Sequence, residues 1–256
     1  NIWSEVNYNI GRVWMYINCC AAPTAIATNN GPICAGSPLN LSIAPSPAVP
    51  LNGSYTFAWT GPNGFTSNQQ NPTIANPTVA ATGTYSCTIT SNCGNVTATT
   101  QVVVNPNPVA SITNNTGTTT IDCNTPAINV TASGGGTYSW DNGLGSNASV
   151  GITTAGTFTV TVTNAQGCTN TSSITTTVAP TPTISMNPAT ICTGQSTTLV
   201  ATTTPAGGVI AWNTGQNTNS ITVNPMQTTT YSATYTWNGC SASDSAVVIV
   251  NPTPSV

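Results

Sequence analysis

The sequence predicts an all-β protein of three tandem antiparallel β-sandwiches, with no helix. One residue pattern is repeated three times in the 256-residue chain, and internal repeats of this length are typical of domain arrays. Within each copy, apolar and polar residues alternate over short segments, as in half-buried strands. Each copy is followed by a short segment with two prolines, called here a Pro-rich punctuation: Asn105-Pro106-Asn107-Pro108, Ala179-Pro180-Thr181-Pro182 and Asn251-Pro252-Thr253-Pro254. Beyond the third punctuation we expect a further copy or a neighbouring molecule.

Each copy contains the same succession of strand signals. A front cysteine, which precedes an alternating apolar stretch, is found at Cys34, Cys123 and Cys192. A tryptophan follows one strand later, where a sandwich core takes its largest side chain, at Trp59, Trp140 and Trp212. After a Gly/Asn turn and a strand that begins with an aromatic residue, a closing cysteine occurs at Cys93, Cys168 and Cys240. About seven short strands per copy are typical of an antiparallel sandwich.

The punctuations predict the domain boundaries. We expect sandwiches over residues 21–108, 109–182 and 183–256, preceded by a separate segment of residues 1–20. Linkers with two prolines are stiff, so the array is expected to be extended.

A resemblance to known repeats rests on four stretches, which are Ile33-Cys34-Ala35-Gly36, residues 59–67 (WTGPNGFTS), residues 83–87 (GTYSC) and Gly167-Cys168. Over residues 21–256 the chain resembles the immunoglobulin-like (Ig-like) and PKD-like repeats of very large secreted surface proteins and adhesins of Bacteroidota-type bacteria. The resemblance implies Ig-like sandwiches at a cell surface. It does not identify a ligand, because such repeats serve as stalk, fibre and adhesive tip.

Nine cysteines in such a chain indicate an oxidising compartment. Because a front and a closing cysteine recur in every copy, we predict three disulfides, each within one sandwich: Cys34–Cys93, Cys123–Cys168 and Cys192–Cys240. Cys19, Cys20 and Cys87 remain, either unpaired or bonded between chains. Cys87 aligns with Val160, a core position, and is interpreted as a buried thiol. The alternative is Cys34–Cys87, the usual inter-sheet bond of immunoglobulins, which leaves Cys93 for Cys19 or Cys20.

The composition disfavours catalysis and nucleic-acid binding. The chain has one Arg, four acidic residues and neither Lys nor His, whereas most enzymes need a group that exchanges protons near neutral pH. Nucleic-acid binding needs several cations. No cofactor or metal is predicted, because no Cys-x-x-Cys motif and no carboxylate cluster is present. The sequence contains no run of 18 apolar residues, so no membrane span is predicted. The first residue is Asn rather than Met and no signal-peptide pattern is present, so the chain is interpreted as a mature secreted product or a fragment.

Residues 1–20 differ from the repeats in being rich in large apolar side chains. Their alternation suits a strand that is donated to the sheet of a neighbouring subunit, and the candidate residues are Val6, Tyr8, Ile10, Val13 and Trp14. The alternative is the tail of a preceding domain, or a strand that packs on the first sandwich.

Surface sugars are a further expectation. Ser245 is a candidate O-glycosylation site, because Asp244-Ser245-Ala246 resembles the acceptor pattern of this bacterial group. Asn-x-Ser/Thr triplets arise by chance in so Asn- and Thr-rich a chain, and most are expected to carry no sugar.

The sequence therefore predicts a non-enzymatic, secreted structural protein, namely a repeat segment of a cell-surface filament, fibre or stalk that self-associates or continues into further repeats. The first alternative is an adhesin or carbohydrate-binding module of a large secreted surface protein. That alternative predicts a cluster of exposed aromatic residues on the loops of one sandwich. A second alternative is an accessory region of a secreted hydrolase.

Overall fold

A computed structural model describes residues 21–50 and 53–253 in full, and residues 2–8 and 11–17 by their backbone alone. The described chain consists of strands and turns, and its only helical segments are two three-residue 3-10 turns, Pro62–Gly64 and Val79–Ala81. The predicted all-β class is therefore confirmed. None of the described helical segments is long and apolar enough to cross a membrane.

The described residues form 25 strands, β1 to β25 in chain order. An N-terminal hairpin contains β1 Ile2–Tyr8 and β2 Gly11–Ile17. The first sandwich contains β3 Thr24–Asn29, β4 Ile33–Cys34, β5 Leu39–Ser46, β6 Thr56–Gly61, β7 Phe65–Ser67, β8 Thr73–Ile74, β9 Gly83–Ser91, β10 Gly94–Val102 and β11 Val104–Asn105. The second contains β12 Ser111–Asn114, β13 Thr120–Ile121, β14 Ile128–Ser133, β15 Thr137–Trp140, β16 Ser149–Ile152, β17 Gly156–Thr163 and β18 Thr169–Val178. The third contains β19 Thr183–Met186, β20 Ala189–Cys192, β21 Thr197–Thr204, β22 Val209–Trp212, β23 Ser220–Val223, β24 Thr229–Trp237 and β25 Cys240–Asn251.

The three sandwiches share one topology. Each has a three-stranded sheet, in the orders β3-β5-β8, β12-β14-β16 and β19-β21-β23. The opposite sheet has the order β13-β18-β17-β15 in the second sandwich and β20-β25-β24-β22 in the third, and in the first it is split into β11-β4 and β10-β9-β6-β7. In every copy a short front strand pairs in parallel with the end of the last strand. This repeated pairing decides where the front cysteines lie.

The cores follow from the period-2 pattern of the strands. In β5, Leu39, Leu41 and Ile43 are buried while the intervening residues are exposed. Inward side chains of both sheets meet in one cluster in the first sandwich and in another in the third. The three tryptophans predicted for the cores are buried, with exposed fractions of 1% for Trp59, 5% for Trp140 and 4% for Trp212.

Tyr85 occupies the position of the tyrosine corner, a feature of Ig sandwiches in which a buried Tyr precedes the second core cysteine by two residues. Its side chain is fully buried and its hydroxyl donates a hydrogen bond to the Ala81 carbonyl oxygen at 3.0 Å. Burial raises the pKa of the Tyr85 phenol. A Cβ at position 61 would overlap the Tyr85 ring, so Gly61 is required beside it.

The described residues form two compact units. The first unit contains the described chain up to Val109 together with two turns of the second sandwich, Gly134–Thr137 and Val162–Asn170. The second unit contains the remaining described residues. The domain boundaries predicted after residues 20, 108 and 182 stay predictions.

The candidate donated strand lies within the N-terminal hairpin. Strands β1 and β2 pair antiparallel, with Val6 opposite Val13, Tyr8 opposite Gly11 and Trp14 opposite Glu5. Ile10, Cys19 and Cys20 lie outside the described residues. Donation of this segment to a neighbouring subunit stays a prediction.

Candidate functional site: disulfide staples between consecutive copies

The first staple is the disulfide between Cys34 and Cys168, whose Cα atoms are 5.5 Å apart, an ordinary separation for a disulfide. Cys34 ends β4, which pairs with β11 so that Cys34 lies opposite Asn105. Cys168 lies in the hairpin turn between β17 and β18. Both cysteines belong to the first compact unit. The bond therefore ties the first sandwich to the hairpin turn of the next copy.

Asparagine side chains position this hairpin turn. The Asn164 side-chain oxygen accepts hydrogen bonds from the backbone N–H of Cys168 at 2.9 Å and of Gln166 at 3.1 Å, an Asx-type arrangement. Its amide nitrogen donates to the Pro106 carbonyl oxygen at 2.9 Å. Asn170 donates in the same way to the Pro108 carbonyl oxygen at 3.0 Å. The turn that carries Cys168 is thus fixed on the Pro-rich punctuation that follows β11.

The second staple, Cys123–Cys240, has a Cα–Cα distance of 5.8 Å and lies within the second compact unit. The Asp122 carboxylate orders the loop of Cys123, because it accepts the backbone N–H groups of Asn124 at 2.9 Å and Thr125 at 2.7 Å. Cys240 begins β25. Again a front cysteine is bonded to the closing cysteine of the next copy.

The hairpin turn before Cys240 is a two-residue Asn-Gly turn. Asn238 and Gly239 both have positive φ, 48° and 81°, as a type I′ hairpin requires. The Asn124 amide donates to the Asn238 carbonyl oxygen at 3.2 Å. The loop of the front cysteine and the turn of the closing cysteine are therefore joined by a hydrogen bond as well as by the disulfide.

The predicted pairings Cys34–Cys93 and Cys192–Cys240 are wrong, because the two cysteines lie at opposite ends of their sandwich. Cys192 lies opposite Asn251, the last residue of β25, whereas Cys240 is its first residue. Twelve residues of strand span about 36 Å at roughly 3.3 Å per residue, and a disulfide cannot bridge that distance. In the first sandwich, Cys34 likewise lies opposite Asn105, at the other end of the β10–β11 run from Cys93.

The predicted Cys123–Cys168 bond is wrong for the same topological reason. Strand β13 pairs with the final residues of β18, with Ile121 opposite Val178, whereas Cys168 precedes the first residue of β18. The alternative pairing Cys34–Cys87 is also wrong. Cys87 is fully buried on the inner face of β9, while Cys34 lies on a short front strand and bonds to Cys168.

The two staples interleave along the chain. Cys123 lies inside the loop closed by Cys34–Cys168, and Cys168 lies inside the loop closed by Cys123–Cys240. Every peptide bond between Cys34 and Cys240 is therefore enclosed by at least one disulfide. A single backbone cut anywhere in that stretch leaves the two pieces covalently joined.

The close contact at the second staple predicts different effects for two glycine substitutions. Gly239→Ala should destabilise the chain by about 1 kcal/mol more than Gly167→Ala, which itself should cost about 1–2 kcal/mol for the left-handed backbone. Both glycines have positive φ, but a Cβ at Gly239 would lie 2.7 Å from the Asn124 amide nitrogen, while a Cβ at Gly167 meets nothing within 4 Å. Urea unfolding of both variants measures the difference, and equal losses would contradict a role for Asn124 at the staple.

Several solved structures of multi-domain chains are similar to this chain. Two of them are the I67–I69 fragment of titin (11% identity, 91% of this chain and 100% of that chain, TM-score 0.38) and extracellular domains 3–5 of Drosophila OTK (12%, 86% and 93%, TM-score 0.32). A third consists of the three N-terminal domains of the outer capsid protein Hoc of bacteriophage RB49 (14%, 91% and 100%, TM-score 0.33). Similarity at this level carries no argument about function.

No protein-family model matches the chain, and no curated protein matches it either. The assignment of the sandwiches as Ig-like therefore rests on their own topology and on the tyrosine corner.

The other cysteines differ in their surroundings. Cys93, in the turn between β9 and β10, is disulfide-bonded as well. Cys87 and Cys192 are free thiols, the first buried and the second exposed. Burial raises the pKa of the Cys87 thiol, and its backbone hydrogen bond to Ala58 opposes that effect only in part. Since the thiolate is the reactive form, both the burial of Cys87 and its raised pKa lower its reactivity.

Alkylation should distinguish these two thiols. Iodoacetamide at pH 8 is expected to modify Cys192 of the native chain, whereas Cys87 should be modified only after denaturation. The reason is that Cys87 has no exposed surface and its raised pKa lowers the thiolate fraction. Peptide mass spectrometry before and after addition of guanidinium gives both readings. Rapid labelling of Cys87 in the native chain would show that its core opens readily.

Asp244 and Ser245, the candidate glycosylation motif, lie on β25. The Asp244 carboxylate accepts the backbone N–H groups of Met186 and of Ser245, each at 2.8 Å. It thus connects β19 to β25 across the sandwich. Ser245 is exposed, and its glycosylation stays a prediction. The described part of the chain has no group of three or more His, Cys, Asp or Glu residues that could hold a metal ion.

Proposed function

We propose that this chain is a non-enzymatic structural protein, a repeat segment of an extracellular filament, fibre or stalk. The observation that carries the proposal is the pair of interleaved staples, which join consecutive copies rather than closing single sandwiches. A domain that acts alone gains nothing from a bond to its neighbour. A segment that transmits tension benefits from such bonds, because they limit how far the chain lengthens if a sandwich unfolds.

The disulfides support a secreted or cell-surface location, since such bonds form and persist in oxidising compartments. The cytosol keeps most thiols reduced. Five of the described cysteines are disulfide-bonded, namely Cys34, Cys93, Cys123, Cys168 and Cys240. Stability that depends on these bonds fits an extracellular protein.

The surface also fits a structural role outside the cell. Hydroxyl groups pair across neighbouring strands, for example Thr88 with Thr97 at 3.0 Å, Thr198 with Thr222 at 3.1 Å and Thr234 with Ser243 at 2.9 Å. Cross-strand pairs of this kind stabilise sheets without charge. Because few ionic interactions are involved, stability should depend weakly on salt, as suits a surface exposed to changing surroundings.

The adhesin alternative predicts a cluster of exposed aromatic residues, and the side chains that the structure describes form no such cluster. Among the described residues, the large hydrophobic side chains that are exposed are aliphatic or methionine, such as Ile26, Val209 and Met226. Phe65, the first residue of β7, packs on Tyr85 with ring centroids 5.5 Å apart. Sugar binding usually uses exposed aromatic faces, so the structural role is the better supported of the two.

Immunogold electron microscopy of the source cells tests the proposal, with antibodies raised against the folded chain. The expected result is labelling along surface fibres or stalks at regular intervals. Labelling confined to the cell interior, or found only on dispersed single molecules, would overturn the proposed function.

A further inference from the structure

Cys192 has the same backbone setting as the bonded Cys34. Cys34 lies opposite Asn105 on the last strand of the first sandwich, and Cys192 lies opposite Asn251 on the last strand of the third. The residue after each cysteine donates its N–H to that asparagine's carbonyl oxygen, at 2.9 Å from Ala35 and 3.0 Å from Thr193.

The turns that follow these cysteines are the same as well. Gly36 and Gly194 have φ values of 86° and 84°. The next residue donates its N–H back to the cysteine carbonyl oxygen, at 3.0 Å both for Ser37 and for Gln195. Cys192 is thus a front cysteine by geometry as well as by its place in the repeat.

The front cysteines of the first two copies are both bonded to the closing cysteine of the copy that follows. Among the described front cysteines, Cys192 alone is free, and its side chain is exposed. It cannot bond within its own sandwich, because Cys240 begins the strand that ends opposite Cys192.

The Pro-rich punctuation beside Cys192 has a carbonyl group equivalent to the hydrogen-bond acceptor at the first staple. At that staple, the hairpin residue Asn164 donates to the Pro106 carbonyl oxygen. Pro252 follows Asn251 as Pro106 follows Asn105, and it is exposed. A closing hairpin of the same type could therefore make the same amide contact beside Cys192.

We infer that Cys192 is one half of a third staple, and that its partner is the closing hairpin cysteine of a further Ig-like repeat of this type. Formation of the bond removes two electrons and two protons from the two thiols. The oxidant is a protein or small-molecule disulfide: one thiolate attacks it to give a mixed disulfide, the second thiolate displaces the oxidant's remaining sulfur, and the oxidant leaves as two thiols. The inference deepens the proposed function, because it names the partner that continues the array.

Non-reducing peptide mapping tests the inference, on protein isolated from its natural source with iodoacetamide present throughout. The Cys192 peptide is expected to be disulfide-bonded to a peptide with a cysteine in an Asn/Gly turn. A Cys192 peptide alkylated by iodoacetamide should be absent. Cys87 is the internal control, since its thiol should remain and be alkylated after denaturation. Non-reducing gels show whether the partner cysteine belongs to a neighbouring subunit or to the same polypeptide. A ladder that collapses on reduction indicates a neighbouring subunit, and a single band indicates a repeat of the same polypeptide.

Two results would overturn the inference. One is a fully alkylated Cys192 in the isolated protein, and the other is a Cys192 joined to a small thiol or to a cysteine outside a hairpin turn. Electron microscopy of the source cells tests the proposed function independently of the third staple. Surface fibres with an alkylated Cys192 would refute only the staple, whereas a stapled Cys192 without surface fibres would refute only the filament, fibre or stalk.

Discussion

Single-molecule stretching of the oxidised chain is expected to extend the stretch from Cys34 to Cys240 to an end-to-end distance of no more than about 160 Å. The shortest covalent path between these residues crosses both staples and includes only the segment from Cys123 to Cys168. That segment has about 45 residues, at roughly 3.5 Å each when extended. After reduction, about 200 residues are free to extend, and the same stretch should reach about 700 Å.

Two variants refine the stretching experiment, with peptide handles at both chain ends. Cys123→Ser combined with Cys240→Ser removes the second staple, and the extension should rise to at most about 250 Å, since the shortest path then crosses the first staple and runs from Cys168 to Cys240. Cys192→Ser is the matched control, because Cys192 has no disulfide in this chain, and it should leave the extension unchanged. An oxidised chain that extends as far as the reduced chain would refute the interleaved staples.

Trp212→Ala is expected to lower the free energy of unfolding of the third sandwich by about 3–5 kcal/mol, the usual cost of removing a large aromatic side chain from a core. Trp212 is only 4% exposed, and its indole N–H donates to the Thr218 carbonyl oxygen at 2.8 Å. Native-state hydrogen exchange of the β24–β25 amides measures the loss without using tryptophan fluorescence.

Val209→Ala is the control for the tryptophan variant. Val209 lies on the same strand, β22, but its side chain is 63% exposed, so its truncation should cost less than about 1 kcal/mol. A loss of that small size for Trp212→Ala would show that the tryptophan does not support the core.

The closing and front cysteines show where sequence reasoning failed. Each copy contains one of each, and pairing within the copy is the simplest assignment of such a repeat. The signal against that assignment was present but indirect. The front cysteine lies on or just after the short front strand, and the closing cysteine lies in the hairpin at the start of the last long strand. They fall at opposite ends of the sandwich, because the front strand pairs in parallel with the end of the last strand.

The sequence by itself determined the strands and their cores, because period-2 alternation, turn residues and a buried tryptophan act over a few residues and recur in every copy. It also determined that Cys87 is a core residue, through its alignment with Val160. Only the tertiary structure decided the disulfide partners. A disulfide requires two Cα atoms within about 7 Å, and that distance depends on strand order and direction. The assignment of Cys34 to Cys168 and of Cys123 to Cys240 therefore followed from the fold.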